Sequence, residues 1–157
     1  MAESGLISNV LQLNSVSLDR SQWKLDTDEI DADGDREFSA DFLADNLLSA
    51  ITVREIQITD RNVSLPERVE RTVESIRKRA KVFNSRPCPE KYRAPEGWLC
   101  YSYEISVSDR APDAYTIVHV TMLADRMVTK RVRIAMPSTD QKESTLLAAF
   151  NSIELKR

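Results

Sequence analysis

The chain has one histidine and two cysteines in 157 residues, so nucleophilic or metal chemistry would have to be built around His119, Cys88 and Cys100. A serine or cysteine nucleophile needs a base within reach and a third group to orient that base. His119 lies among Ile117, Val118 and Val120, a setting that suits a buried structural imidazole better than a working base. A cysteine hydrolase pairing His119 with Cys88 or Cys100 is the reactive alternative. Zinc is disfavoured because these residues contain no close ligand pair such as C-x-x-C. Cys88 and Cys100 flank a turn at Pro95-Glu96-Gly97. A cross-strand disulfide is geometrically open to them, but a reducing cytoplasm favours two thiols, which is the expectation.

The segment Asp31-Ala32-Asp33-Gly34-Asp35-Arg36-Glu37 imitates the first half of a calcium loop. Counted from Asp31, Arg36 falls where the sharp turn needs Gly, and Phe42 falls where a bidentate Glu must close the shell. A solvated acidic segment is expected, and no metal. Glycines at 5, 34 and 97 cannot form G-x-G-x-x-G or a Walker loop, so no cofactor is expected either.

Charge limits the partners. The balance is 22 Lys+Arg against 25 Asp+Glu, a net −3, so no global basic field draws the chain to nucleic acid or anionic lipid. Arg77-Lys78-Arg79-Ala80-Lys81 sits at a helix end among glutamates and reads as a solvated face. A second cluster, Arg126, Lys130, Arg131 and Arg133, surrounds the last long strand. Arg131 and Arg133 share a side, and a registered neighbour could bring Glu104 opposite them. Glu104, Lys130, Arg131 and Arg133 are therefore the candidate contacts for an acidic protein partner. The competing view of this cluster is an edge strand protected by charge. Tyr101, Tyr103 and Tyr115 are a further candidate cluster, expected mainly in core and rim.

The elements that must position these residues follow from periodicity. Residues 1–37 carry the weakest pattern, with short strands suggested by Val10 to Leu18 and by Trp23 and Leu25, and an acidic loop or hairpin tip over 26–37. Phe38 to Ile58 is strand-like. Ser64-Leu65-Pro66-Glu67 opens a helix with a capping box and an early proline. Leu65, Val69, Val73, Ile76, Ala80 and Phe83 then give it one apolar face over 65–83. Leu99 to Val107 alternates, Asp109 to Asp113 turns, and Tyr115 to Leu123 is apolar or β-branched almost throughout, as in a strand covered on both sides. Val128 to Met136 alternates again, which predicts an antiparallel meander. Ser138 with Gln141 is expected to cap a final helix with Leu146, Leu147 and Phe150 inward, and Ile153 and Leu155 close the chain. Met1 to Val10 lacks a basic start and an apolar run, so no secretory signal is expected, and no apolar window spans a bilayer.

Over about residues 38–157 this order resembles the Mog1/PsbP-like fold, in particular the bacterial DUF1795 group. The resemblance rests on Phe42-Leu43-Ala44-Asp45-Asn46-Leu47-Leu48, similar to an F-x-x-N-apolar stretch, on the long helix, and on Gly97-Trp98 before a strand. Ala124-Asp125-Arg126-Met127-Val128-Thr129 and the closing Phe150-Asn151-Ser152-Ile153 complete it. Asp19-Arg20-Ser21 is similar to an early D-R-S in secretion adaptors, whereas Gln22-Trp23 departs from their pattern. The resemblance implies an α+β fold, an α/β/α sandwich with a central antiparallel sheet flanked by helices. It also implies a non-enzymatic protein-binding module, in one form an adaptor or chaperone of a bacterial secretion system. One domain over 1–157 in the cytoplasm is expected. An immunity protein with an acidic docking surface at 26–37, and a ligand-binding or hydrolytic pocket near His119, are the alternatives.

Overall fold

The computed structural model describes residues 5–80, 82–106 and 114–156. The turn expected at 109–113, Val107 and Lys81 lie outside them. Short strands β1 (Gly5–Ile7), β2 (Asn14–Ser15) and β3 (Ser17–Asp19) precede a hairpin of β4 (Trp23–Ile30) and β5 (Arg36–Phe42). The chain then forms a 3₁₀ turn at Leu43–Asp45, β6 (Ala50–Gln57), helix α1 (Leu65–Arg79) and β7 (Val82–Arg86). A second 3₁₀ turn at Glu90–Tyr92 leads into β8 (Leu99–Ser106), β9 (Ala114–Leu123) and β10 (Arg126–Ala135). Helix α2 (Asp140–Asn151) and β11 (Glu154–Leu155) finish the chain.

Seven strands form one antiparallel sheet in the order β4-β5-β6-β10-β9-β8-β7, and β11 pairs with β2 beside it. The meander β8-β9-β10 is as expected, but its last strand inserts beside β6 in the middle of the sheet. From β6 the chain must therefore reach the far edge, a span of four strand spacings or about 19 Å. Helix α1, with 15 residues, covers about 22 Å at 1.5 Å per residue, which suits that crossing.

Because directly opposed residues share a face, the register sorts the sheet into two sides. On the first are Phe38, Ala40, Ile51, Val53, Ile117, Val132 and Ile134, all buried with Leu146 and Phe150 of α2 and with Leu11, Val16, Leu18, Trp23 and Tyr92. Glu55 belongs here too. Its wholly buried carboxylate accepts from the backbone N–H of Gln12 (2.7 Å) and Leu13 (2.8 Å) and from Asn14 Nδ2 (2.8 Å), tying the amino-terminal segment to the sheet. On the second side are Tyr101, Tyr103, Val118, Val120, Thr129 and Arg131. Val69 and Ile76 of α1 line a cavity of about 170 Å³ together with these residues, and no residue of α1 is fully buried.

Several boundaries differ from expectation. Helix α1 starts as read, with Ser64 Oγ accepting from the Glu67 N–H, but ends at Arg79 because Phe83 is needed in the ladder opposite Ile105. The α2 cap is Thr139, not Ser138: Thr139 is extended and its hydroxyl accepts from the Lys142 N–H at 3.2 Å. The acidic segment is mostly strand, with Asp26, Asp28, Glu29 and Glu37 on the hairpin arms. Only its tip turns, where the Asp31 carboxylate accepts from the N–H of Asp33 and Asp35 and Gly34 takes φ 84°.

Candidate functional site

The four residues expected to form one contact surface are divided by the pleat. Arg131 and Arg133 are exposed on the second face of β10, whereas Lys130 is buried on the first. Glu104 pairs with Tyr115, on the Lys130 side, and is held by Arg86 at 2.6 Å. It therefore cannot oppose Arg131 or Arg133, and their strand is central instead of an edge. The same alternation splits the tyrosines: Tyr101 and Tyr103 stack at 6.2 Å on the second face, and Tyr115 faces the other way under Arg86, whose guanidinium lies 4.5 Å from its ring centre. Burial raises the Tyr101 and Tyr115 hydroxyl pKa values, so both phenols stay protonated.

Arg133 leads to a surface that composition did not reveal. Its Nε donates to the carbonyl of Leu48 at 3.1 Å, at the end of the loop joining β5 to β6. Leu43, Leu47, Leu48 and the nearby Met136 are 41%, 36%, 59% and 41% exposed. Asp45 fixes this loop. Its carboxylate accepts from the N–H of Leu48 and Ser49, from the Ser49 hydroxyl and from Lys142 Nζ at 3.4 Å. Burial pushes the Asp45 pKa up, but the Ser49 hydrogen bonds and Lys142 outweigh it, leaving the carboxyl below its ordinary range. Ser49 Oγ in turn accepts from the Ala135 N–H at 2.9 Å, joining the loop to β10 just before Met136. Asn46 and Leu47 both take positive φ, 60° and 69°, a costly conformation for leucine that persists only where surrounding bonds impose it. A cavity of about 550 Å³ lies between Phe42, Leu43 and the first turn of α2.

His119 occupies a different place. It is 3% exposed, its ring packs edge-on to Phe150 at 4.8 Å, and its Nε2 lies 2.6 Å from the Tyr92 carbonyl. A carbonyl only accepts, so Nε2 carries the proton and Nδ1 presents a lone pair that has no protein partner. Burial lowers the His119 pKa, and neighbouring Lys130 lowers it further against the Tyr92 bond, keeping the ring neutral. Lys130, directly opposite on β10 and 8% exposed, donates to the Ile153 carbonyl at 3.0 Å and lies 4.7 Å from the Phe150 ring centre. Burial brings its pKa down to about 8, opposed by Glu154. Both residues line a half-open cavity of about 450 Å³ with Asn14, Arg93, Trp98 and Lys156. Asn14 is 1% exposed; its Nδ2 is spent on Glu55, and its Oδ1 has no protein partner.

One wall of that cavity overturns the expectation of free thiols. Cys88 and Cys100 are bridged, with Cα atoms 6.3 Å apart, because the turn before β8 folds back over the strand. The bridge pins segment 88–98, as do the buried Tyr92 and a 2.7 Å bond from Thr121 Oγ1 to the Gly97 carbonyl. The bridge also removes the thiol that a cysteine hydrolase would use. Among the described residues no group of three His, Cys, Asp or Glu is arranged to hold a metal ion, and no helix is long and apolar enough to cross a membrane.

Residue type alone could not have found Asp45, Glu55 or Asn14, since their roles come from partners distant in sequence. The available signal was Leu47-Leu48 beside Asp45-Asn46, two large apolar residues immediately after turn-forming ones.

With this geometry in view, known proteins identify the fold only. No protein-family model matches the chain, and no curated protein matches it in sequence. Among solved structures it is similar to the solution structure of cyanobacterial PsbP (CyanoP) from Synechocystis sp. PCC 6803. The TM-score is 0.58 over 98% of this chain and 93% of that one, at 14% identity. The chain thus has an α+β, Mog1/PsbP-like fold.

Proposed function

We propose that this chain is a non-enzymatic protein-binding module that docks a partner on the loop from Phe42 to Ser49, with Met136 and Arg133 at its margin. The partner is a protein segment that carries an apolar side chain next to carboxylates. The observation behind this is the exposure of Leu43, Leu47 and Leu48 on a loop that Asp45 holds fixed. Apolar side chains held at the surface against solvent mark an interaction site, and a fixed loop loses little entropy on docking. Exposed Arg131 and Arg133 favour an acidic segment, with Asp41 the carboxylate that interacts with Arg133. The single imidazole, locked between the Tyr92 carbonyl and Phe150, also fits a binding role better than turnover.

With α2 on one sheet face and α1 toward the other, the layers support the α/β/α sandwich implied by the resemblance. A DUF1795-type adaptor of a bacterial secretion system is the specific form that the sequence motifs suggest. The Cys88–Cys100 bridge supports residence in an oxidising compartment in preference to the cytoplasm.

Selection from a displayed peptide library tests the docking surface. Enriched peptides should combine Leu, Ile or Phe with adjacent Asp or Glu, and Leu48→Asp should weaken them by about tenfold or more, a difference of about 1.4 kcal/mol. Circular dichroism should show the variant folded. Peptides that lack this pattern, or that bind Leu48→Asp as tightly as the parent, would overturn the proposal.

A further inference from the structure

The cavity of about 170 Å³ between α1 and the sheet gathers charged and hydroxyl groups, and no residue from Phe42 to Ser49 lines it. The strand register lays out its floor. Tyr101 of β8, Val118 of β9, Arg131 of β10 and Thr52 of β6 stand in one row across the second sheet face, and Val120, Thr129 and Arg54 stand in the next. Tyr101 and Arg131 are thus two strands apart, about 10 Å. The short Val118 between them leaves a hollow that both longer side chains border. Helix α1 closes it from above with Thr72, Ile76 and Arg79, which spacings of four and three put on one side of the helix.

Every polar side chain on these walls can donate a hydrogen bond, and no carboxylate lines them. Arg131 Nη2 donates to Thr52 Oγ1 at 3.3 Å and Arg79 Nε to the Ser75 carbonyl at 3.3 Å, which leaves each guanidinium further N–H groups. Neither has a carboxylate partner among the described residues, whereas Arg54 is paired with Glu37 at 3.1 Å. Burial keeps the Tyr101 phenol protonated. Its O–H has no acceptor among the described residues and, unlike the Tyr92 hydroxyl, it is not sealed from solvent. A carboxylate has only two oxygens for these donors. A tetrahedral oxyanion has more, and it accepts forked bonds from two guanidiniums at once. The volume is below the usual range for a whole small ligand but has room for one phosphoryl group. Buried Val118 and Val120 keep water from its lower side, which strengthens the attraction between opposite charges.

The geometry points to an oxyanion site: Arg79 and Arg131 clamp inorganic phosphate or the phosphate group of a small monoester between α1 and the sheet, with Tyr101 donating to one of its oxygens. The shallow seat of α1, none of whose residues is fully buried, fits this arrangement, because space that a filled core would occupy is left to a ligand. A bound phosphate joins a helix side chain to a strand side chain and so fastens α1 to the sheet.

Calorimetric titration of the oxidised full chain with inorganic phosphate and glycerol 3-phosphate at constant ionic strength tests this, with acetate as the carboxylate control. At least one of the two phosphates should saturate with Kd below about 1 mM, and acetate should bind about tenfold more weakly or worse. Tighter binding of glycerol 3-phosphate would mark a monoester as the ligand, and tighter binding of inorganic phosphate the free anion. Arg131→Met should weaken binding about tenfold and Tyr101→Phe about threefold. If Arg131→Met does not fold, Arg79→Met on the exposed side of α1 should give a loss of the same kind. Saturating phosphate should also slow amide exchange in α1 of the parent chain but not of Arg131→Met. Leu48→Asp should leave the affinity unchanged, which separates failure here from failure of the docking loop. The inference is overturned if neither phosphate saturates, if acetate binds equally well, or if a folded Arg131→Met or Arg79→Met chain retains full affinity.

Discussion

Helices α1 and α2 face opposite sides of one sheet and are built on opposite terms. The first has the stronger local credentials: a capping hydroxyl, proline in the first turn, apolar residues at spacings of three and four, and arginines and lysine in its last turn. Yet none of its residues is buried, and a cavity of about 170 Å³ separates it from the strands. The second has a weaker stripe, but Leu146 and Phe150 are wholly buried and touch the largest core side chains. Amphipathic spacing therefore shows that a helix forms and which side turns inward. How deeply it sits depends on what the facing strands offer. The α2 face offers a largely apolar floor around Lys130 and His119, while the α1 face mixes buried Tyr103, Val118 and Val120 with exposed Arg54 and Arg131.

The largest test of this contrast is Phe150→Ala, which should cost about 3–5 kcal/mol because the cavity it leaves is walled by Tyr92, His119 and Lys130. Chemical denaturation with an unchanged m-value would show it; a loss below about 1 kcal/mol would mean that α2 is as loosely seated as α1.

Lys130 sharpens the same face in another way. Its pKa is brought down from 10.5 to about 8 by burial, so between those values the unfolded chain binds more protons than the native one. Stability should then rise with pH across that window, by about 3 kcal/mol at most, and Lys130→Met should flatten the rise. Parallel pH profiles for the two chains would contradict the burial of that ammonium.

Removing the Cys88–Cys100 bridge by double substitution to Ser should cost about 2–3 kcal/mol, as expected for a short closed loop. It should also raise exchange at Tyr92 to Trp98 while α1 is unaffected. The smallest effect belongs to Ile76→Ala on α1, about 1 kcal/mol, because that side chain is only half-buried. Amide exchange should be fastest in α1 and slowest in α2 and β9; the reverse order would remove the contrast.

Much of the architecture was legible in the sequence. Alternation from Leu99 and Val128, the apolar run from Tyr115 and the Ser64 cap all depend on near neighbours, and they appear where local chemistry placed them. The candidate sites were less legible. Lys130, Arg131 and Arg133 are almost contiguous, yet the two-residue pleat sends Lys130 toward Phe150 and the arginines to the other face. Glu104 was placed opposite them through a supposed strand register, and the actual register with Tyr115 put it elsewhere. No residue type or spacing set the carboxylates of Asp45 and Glu55 apart among 25 acids. Each is a buried or half-buried acceptor that organises a loop.

Periodicity, capping and turn residues determined which segments became helices and strands, because those choices are settled within one turn or one pleat. The tertiary structure alone decided where β10 inserts, which thiols meet, and which polar atoms near His119 are left with a lone pair and no donor. Those outcomes depend on groups far apart in the chain, such as Asn14 with Glu55, Tyr92 with His119 and Lys130 with Ile153, which become neighbours only after the sheet has closed.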